Sequence, residues 1–295
     1  MNLLTPKSDL VFKLLFTADK DILVNLINSV LNLPEERLIT SVEIKNPGIL
    51  PDEITKKFII LDIRAADNRG SCYDIEMQVQ KYEAYPKRTL FYISRMYADQ
   101  LKSGDDYGSL VPVIGIHFLD YTLFPGISDF HFHFYMRDLR YPDIVLADDL
   151  SVHIFEMSKA DNAGISEISS MTEWLRFFNH AHEEVNPSMR KDYKNPAVHK
   201  AFDLLEKLSA DEITRRRAEM REKALTNEVS MLAAARREGE KAGIEKGEKT
   251  GIEKGEKLAA LRTAKNLLAA NILTVEQIAE ATGLTTDEVK NLGIT

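Results

Sequence analysis

The chain has 295 residues, of which 44% are hydrophobic and 28% charged, so it can bury a real core in one large domain or two modest ones. Its formal net charge of −8 argues against broad, passive coating of nucleic acid, because such affinity comes mainly from Lys and Arg. The single Cys72 excludes an internal disulfide and a cysteine-rich zinc site. No apolar run reaches the roughly 20 residues of a membrane span, and the first residues do not follow a signal-peptide plan. We therefore expect a cytoplasmic protein without a membrane partner.

The predicted elements alternate between helices and strands. Helical periodicity covers residues 8–31, and a second helix is predicted from Tyr85 to Ser103, with Gly104 at its end. Strands are predicted at residues 39–44, 57–66, 72–80, 111–119, 130–136 and 152–157. From about residue 165 the pattern is helical. This order predicts an α/β sheet flanked by helices and followed by an all-α region.

Two of the predicted strands form a hairpin around the turn Asn68-Arg69-Gly70. If Arg69 is the centre of that turn, antiparallel pairing places Asp62 opposite Glu76 and Ile60 opposite Gln78. Opposed side chains lie roughly 4.5–5.5 Å apart at Cβ, and like charges there are destabilising unless something compensates them. A divalent cation would do so.

The two faces of this hairpin differ in character. One face is apolar and carries Ile59, Leu61, Ile63, Ala65, Ile75, Met77 and Val79. The other is polar and carries Asp62, Arg64, Asp74, Glu76, Gln78 and Gln80. The polar face fits a catalytic site, but it also fits an ordinary solvated face on which Arg64 pairs with Asp74.

The helix predicted after the hairpin also has two sides. Leu90, Ile93, Tyr97 and Leu101 cluster on the side that we expect to be buried. Arg88, Arg95 and Lys102 lie on the opposite side, where they form either a phosphate-binding stripe or a solvated face.

An ordered set of motifs gives the chain a family resemblance over about residues 5 to 160. Thirteen residues separate Asp62 from Glu76-x-Gln78. This pattern resembles the PD-(D/E)xK phosphodiesterase signature, in the variant of the Rpn family of recombination-promoting nucleases and related transposases. The other matching residues are Lys7-Ser8-Asp9-x-x-Phe12-Lys13-x-x-Phe16, Ile75, Arg88, Tyr92, Tyr97-x-x-Gln100, Gly104 and Tyr107.

The resemblance implies a restriction-endonuclease-like core and a metal-dependent reaction. Asp62 and Glu76 would be metal ligands for Mg²⁺, with Mn²⁺ or Ca²⁺ as alternatives, and Gln78 would orient the attacking water. Asp9 matches the amino-terminal motif and is either an outer metal contact or a helix cap beside Ser8. Gln78 replaces the lysine of the wider superfamily and carries no charge. DNA is the implied partner.

The missing positive charge has several candidate sources. Lys13, Lys57, Lys81 and Arg88 are the residues that we consider for it. For contacts with DNA phosphates we consider Arg88, Lys13, Lys81 and Arg95. His131 and His133 would point to the same side of one strand, but no third zinc ligand is evident at a telling spacing.

The carboxy-terminal region contains a low-complexity repeat in which glycine recurs at every fourth position from Gly239 to Gly255. Each glycine costs a helix roughly 1 kcal/mol, so we expect a charged, partly helical linker, with pairing between protomers as the alternative. Ala279, Gly283 and Val289 have helix-turn-helix spacing, but the second helix is acidic, which favours docking or oligomerisation over DNA reading.

The sequence therefore predicts four regions and two competing functions. The regions are a nuclease-like domain at 1–160, a helical region packing on it at 161–235, a Gly/Glu/Lys repeat linker at 236–257 and a short helical tail at 258–295. The first function is a Mg²⁺-dependent DNA endonuclease linked to recombination or transposition. The alternative is a catalytically weak DNA-binding or oligomeric assembly protein that keeps the nuclease fold.

Overall fold

The computed structural model describes residues 2–46, 48, 62–161 and 169–292. In this part of the chain a mixed sheet of six strands has the order β1-β2-β3-β4-β6-β5. The strands are β1 (Val42–Ile44), β2 (Ile63–Asp67), β3 (Cys72–Gln78), β4 (Val113–Leu119), β5 (His131–Arg137) and β6 (Val145–Glu156). Strands β3 and β4 are parallel, as are β4 and β6. The pairs β1–β2, β2–β3 and β5–β6 are antiparallel.

The helices before and between the strands cover the sheet. They are α1 (Asp9–Ala18), α2 (Lys20–Leu31), α3 (Tyr85–Ala98), α4 (Met157–Ala160), α5 (Ser170–His180) and α6 (Pro196–Ala210). Three further helices follow, α7 (Glu212–Ala270), α8 (Val275–Thr282) and α9 (Thr286–Leu292). This arrangement confirms the predicted class, an α/β sheet flanked by helices and followed by an all-α region.

The hairpin of β2 and β3 has the predicted register. Ile63 pairs with Ile75 and Arg64 pairs with Asp74, which centres the turn on Arg69. Gly70 has a φ of +93°, a left-handed conformation that glycine adopts without the steric penalty of a side chain. Residues 57–61 of the predicted strand, Ile60 and Lys57 among them, lie outside the described residues.

The amino-terminal helical signal divides into two helices. Asp19 has an extended backbone and its carboxylate accepts hydrogen bonds from the amides of Asp21 (2.9 Å) and Ile22 (3.4 Å). Its side chain therefore caps α2 and marks a break that hydrophobic periodicity alone does not reveal.

The predicted orientation of α3 is wrong at two positions. Leu90 is 60% exposed, whereas Arg88 turns its guanidinium inward toward the sheet. Tyr85, Thr89 and Ile93 form the buried side of the helix, because residues three and four apart share a face. The helix also ends at Ala98 and not at Ser103.

The main core fills the space between one face of the sheet and the helices α1, α2, α5 and α6. Aromatic rings concentrate there: Phe12, Phe16, Phe118, Phe155, Trp174, Phe177 and Phe178 are all buried. A second, smaller core lies on the opposite face under α3 and includes Tyr85, Ile93, Val113 and Ile154. Because both faces are covered, the polar residues of β3 are enclosed as well.

The chain divides into two compact units, residues 1–226 and 227–295. The predicted boundaries after residues 160, 235 and 257 stay predictions. The helix α7 is continuous through the glycine repeat, where we expected a partly helical linker. Glu–Lys pairs four residues apart, such as Glu245 and Lys249, are of the kind that stabilises exposed helices and offsets part of the glycine cost.

The second unit contains a small core of its own. Ala264 at the end of α7 packs with Ile278, Leu284 and Val289 from the last two helices. Thr274 forms a capping box with Gln277, and Gly283, at φ +70°, ends α8. Among the described residues, no helix combines the length and apolarity that crossing a bilayer requires.

Candidate active site

Three polar side chains alternate along one face of β3. Asp74, Glu76 and Gln78 are 1%, 5% and 4% exposed, so this face is far more buried than a solvated face would be. Gln78 donates a hydrogen bond from Nε2 to Glu76 Oε2 at 3.1 Å. The alternation follows from strand geometry, which sends Ile75 and Met77 to the opposite, apolar face.

Asp62 lies one residue before β2 and continues the register toward Glu76. Its Oδ1 accepts a hydrogen bond from Asn46 Nδ2 at 3.1 Å, and the amide of Arg64 donates to Asn46 Oδ1 at 2.7 Å. Asn46 therefore fixes the entry of the chain into β2. The side chain of Asp62 is 18% exposed, which leaves it more open to solvent than Glu76.

Burial and mutual repulsion perturb these carboxyl groups. Burial raises the pKa of Glu76 to about 7, Asp62 adds to the rise, and the guanidinium of Arg88 opposes it. Burial likewise raises the pKa of Asp74 well above its usual range, with further contributions from Glu76 and Asp62. The three acidic groups thus share one electrostatic environment, and each disfavours the charge of the others.

Arg64 offsets part of this negative charge. Its Nε lies 2.8 Å from Asp62 Oδ2 and 4.0 Å from Asp74 Oδ1. The cross-strand pair of Arg64 and Asp74, which the sequence left as an alternative, is therefore present, although it is long. Asp74 Oδ1 is buried without a hydrogen-bond partner, so the acidic cluster is only partly compensated.

Arg88 reaches the cluster from α3. Its Nη2 lies 3.9 Å from Glu76 Oε2, and its guanidinium carbon lies 5.1 Å from the centre of the Tyr82 ring. The same Nη2 is buried without a hydrogen-bond partner, and the side chain is 25% exposed. Arg88 therefore supplies positive charge beside Glu76 and keeps a donor available.

His117 is a neighbour of Glu76 that sequence reasoning missed. It pairs with Glu76 in the parallel register of β3 and β4, and its Nδ1 lies 3.8 Å from Glu76 Oε2. A hydrogen bond of 2.6 Å joins the same Nδ1 to the Tyr85 hydroxyl. Burial lowers the pKa of His117 to about 3, which keeps the ring neutral. Its position inside an apolar strand is the signal that could have revealed it.

Gly115 makes room for that ring. A Cβ atom at this position would lie 2.9 Å from His117 Nε2 and 3.4 Å from Ile93 Cγ2. The close approach explains why this strand position carries glycine although its backbone is regular.

The structure places Asp9 in a buried ion pair. Arg221 Nη2 lies 2.6 Å from Asp9 Oδ2, and Arg221 Nε donates to both carboxylate oxygens at 3.2 and 3.0 Å. The other reading, a cap beside Ser8, receives limited support, because the Asp9 carboxylate accepts only from the amide of Leu10 (2.8 Å) on the helix. Its role as an outer metal contact stays a prediction.

The remaining basic candidates are spread over the first unit. Lys13 is 4% exposed, so a direct DNA contact would require the chain around it to open. Lys81 donates from Nζ to the Thr122 carbonyl at 3.1 Å, and Arg95 lies exposed with Asp99 3.4 Å away. Of the four candidates, Arg88 is the one that a described contact places beside the acidic cluster, at Glu76.

His131 and His133 of β5 contact a third histidine in the structure. His153 of β6 stacks on His133 with ring centres 3.9 Å apart, and its Nδ1 lies 3.0 Å from His131 Nε2. Stacked rings do not aim their nitrogens at one point. Within the described ranges, no group of three or more histidine, cysteine or acidic side chains is arranged to hold a metal ion.

A cation with few protein ligands fits the Glu76 cluster better. Mg²⁺ takes oxygen ligands, keeps several waters and commonly uses one or two carboxylates together with phosphate oxygens. Asp62 and Glu76 provide such oxygens, and Asp74 adds a buried oxygen without a hydrogen-bond partner. These residues fit a divalent cation.

A mixed six-stranded sheet with helices on both faces, and with an acidic cluster at its β2–β3 hairpin, is an α/β architecture. The model of the PD-(D/E)XK nuclease family transposases matches residues 6–235, and the chain belongs to this family. Membership confirms the resemblance stated above and indicates a function related to nucleases or transposases, with DNA as the implied substrate. PD-(D/E)XK nucleases generally use divalent metal ions.

Comparison with curated proteins and with solved structures gives no significant match.

Proposed function

We propose that this protein is a metal-dependent DNA endonuclease that hydrolyses phosphodiester bonds in the cytoplasm during DNA recombination or transposition. The observation that carries the proposal is the hairpin register, which brings Asp62 toward Glu76 beside the guanidinium of Arg88. A buried set of like charges is costly to a fold, and a role in binding a cation accounts for it.

Each residue of the cluster receives a role. Asp62 and Glu76 would hold Mg²⁺, with Mn²⁺ or Ca²⁺ as alternatives, while Asp9 is the candidate outer contact. When bound, the cation supplies charge stabilisation at the scissile phosphate and activation of water. Gln78 orients that water by hydrogen bonding, because an amide can donate and accept but cannot shuttle a proton.

Arg88 carries the positive charge that Gln78 lacks. Its guanidinium can donate to two phosphate oxygens at once, which suits a role in holding the DNA backbone near the carboxylates. Arg64 already pairs with Asp62, so it limits the repulsion within the cluster before DNA arrives. Lys81, Arg95 and Lys13 remain candidates for more distant phosphate contacts.

Nicking of supercoiled plasmid DNA in the presence of Mg²⁺ tests the proposal. We expect Glu76→Gln and Asp62→Asn each to lower the nicking rate by at least roughly 100-fold, because each removes a charged metal ligand. The matched control is Glu43→Gln, an exposed carboxylate on β1 of the same sheet. Glu76→Gln should also weaken Mg²⁺ binding in calorimetry, whereas Glu43→Gln should not.

The result that contradicts the proposal is nicking by the Asp62→Asn/Glu76→Gln double variant at the wild-type rate. Thermal unfolding of each variant shows whether a lost activity reflects a lost fold. Replacement of Glu76 by its neutral isostere is not expected to unfold the protein, because the wild-type group is already buried with a raised pKa.

The second candidate function is a catalytically weak DNA-binding or oligomeric assembly protein. Two observations favour it: Gln78 carries no charge, and Arg64 already neutralises Asp62. The long helix α7 would then mediate assembly into a homo-oligomer. Absence of metal binding, together with an oligomer that dissociates when residues 236–295 are removed, would support this function over the nuclease.

A further inference from the structure

The ion pair of Arg221 and Asp9 joins α7 to α1 in the interior of the first unit. Arg221 is 1% exposed and Asp9 is 6% exposed, and the guanidinium contacts both carboxylate oxygens. The two residues are 212 positions apart in the chain. A charge pair buried to this extent requires a strong compensating geometry, which the two-oxygen contact provides.

This pair borders the strand that carries the proposed active site. Asp9 and Arg221 line a cavity of about 20 Å³ together with Gln78, Gln80 and Leu225. A cavity of this size has room for about one water molecule, and its polar lining offers that water hydrogen-bond partners. Gln80 Nε2 also donates to the Leu225 carbonyl at 3.2 Å, so α7 contacts β3 and its continuation directly.

Stability alone does not explain a buried ion pair at this place. A pair of apolar side chains of similar size holds two helices together as well or better, because it avoids the cost of removing two charges from water. The neighbouring contacts of α7 are of that apolar kind, since Ala218 belongs to the main core. The charged pair lines the same cavity as Gln78.

The orientation of that amide matters for the proposed reaction. Gln78 donates from Nε2 to Glu76, which directs its Oε1 away from the carboxylate. A reversed amide would set Oε1 against Glu76 and lose the hydrogen bond. The guanidinium of Arg221 lines the same cavity as Gln78, and a cation there would favour this orientation because it attracts the carbonyl end of an amide dipole.

We propose that Arg221 is a positioning residue for Gln78, acting through Asp9 and the polar wall of this cavity, so that the first turns of α7 are part of the catalytic unit. The proposal rests on the nuclease function above and adds a helix that lies outside the region of motif resemblance. Arg221 is 1% exposed and is not available for direct contact with DNA, so its removal should lower kcat while the KM for DNA stays unchanged.

Two variants separate positioning from folding. Arg221→Lys keeps the charge but loses the planar fork, and Asp9→Leu/Arg221→Met replaces the ion pair by apolar contact. We expect each to lower kcat for plasmid nicking by at least about tenfold, because a small misplacement of a reacting group is costly. The double variant should unfold within a few degrees of the wild-type temperature.

The matched control is Arg190→Met/Glu206→Leu, which replaces another ion pair of the first unit (2.7 Å) that does not border the Gln78 cavity. It should leave kcat unchanged. Mn²⁺ titration by calorimetry adds a second reading, in which Arg221→Lys should bind the ion with wild-type affinity. Loss of that affinity would place Arg221 in support of the metal ligands and overturn the positioning role.

A stable Asp9→Leu/Arg221→Met protein with wild-type kcat would also overturn the proposal, because the pair would then be structural only. If the wild-type protein shows no nicking, the nuclease function fails, and hydrogen exchange still tests the positioning. Peptides that cover residues 77–82 should exchange faster in Arg221→Lys than in the wild type, and unchanged exchange there would reject the inference.

Discussion

The two faces of β3 are buried to the same degree but by different means. Ile75 and Met77 lie against Phe118 and the helices of the main core, where only apolar atoms meet. Glu76 and Gln78, which alternate with them, are enclosed by polar side chains. Burial alone therefore does not identify a stabilising core. One face of β3 stabilises the fold, whereas the other face keeps acidic groups away from water, which costs free energy.

The polar face carries the cost of keeping acidic groups away from water. Burial raises the pKa values of Asp74 and Glu76, so their charged forms are less stable in the folded chain than in solvent. On the apolar face, Ile75 and Met77 carry no ionisable group. We expect substitutions on the apolar face to change stability and substitutions on the polar face to change activity.

The largest effect on stability is expected for Ile75→Ala. Ile75 is 0% exposed and does not line the Gln78 cavity, and truncating a buried side chain of this size costs about 2–5 kcal/mol through lost transfer energy and the cavity left behind. Urea denaturation followed by circular dichroism measures the loss. Nicking per folded molecule should stay close to the wild-type value, because the side chain points away from Glu76.

Glu76→Gln, a substitution on the polar face of β3, is the control for the denaturation measurement. It should keep or increase the free energy of unfolding while it abolishes nicking. If Ile75→Ala lost activity with its fold intact, or Glu76→Gln lost several kcal/mol of stability, the division of labour between the two faces would be refuted.

The pH dependence of stability tests a group of stacked histidines on β5 and β6. His153 lies on the same side of β6 as the core residue Phe155 and stacks with His131 and His133. Burial, together with the charges of His133 and His131, lowers the pKa of His153 to about 3. Because this folded-state pKa is below the usual 6.5, His153 favours folding above pH 6.5, and this contribution is lost as pH falls toward 3.

We therefore expect His153→Asn to flatten the acid limb of the stability curve. Each such group gives a slope of about 1.4 kcal/mol per pH unit, so the variant should lose less stability between pH 6 and pH 5 by roughly this amount. His117 has a similarly lowered pKa and remains in the variant, which leaves part of the slope in place. Identical slopes for the two proteins would show that the histidine stack is hydrated and titrates normally.

Local pattern was sufficient to predict the hairpin of β2 and β3. Its turn residues and its strict alternation fix the register, since a slip of one residue would expose the apolar face. The position of Arg88 was not predicted, because α3 uses Tyr85 and Thr89 for its buried side although Leu90 is the more apolar residue. Helical periodicity ranks positions by hydrophobicity. In α3, hydrophobicity does not determine which side of the helix is buried.

The partners of the site that the sequence did not reveal come from distant parts of the chain. His117 reaches Glu76 through the pairing of β3 and β4, and Arg221 reaches Asp9 from α7. Such contacts depend on which strands are neighbours in the sheet and on where α7 meets α1. The spacing of residues along the chain indicates neither. The sequence placed the polar residues of the hairpin on one face, but it did not reveal which distant residues contact them.

The smallest expected effect comes from Gly115→Ala, which tests whether the polar face needs its support. The added Cβ would lie 2.9 Å from His117 Nε2, so the ring must shift against Ile93 and Tyr85. We expect a loss of about 1–2 kcal/mol in stability, typical of overpacking, and a larger fractional loss of nicking, because the moved ring lies 3.8 Å from Glu76 Oε2. The double variant Gly115→Ala/His117→Ala removes the clash, but truncating the buried ring has its own cost in stability, so nicking is compared per folded molecule. Activity that returns fully in the double variant would mean that the His117 ring fills space beside Glu76 without orienting it, and the polar face would then depend on its own strand alone.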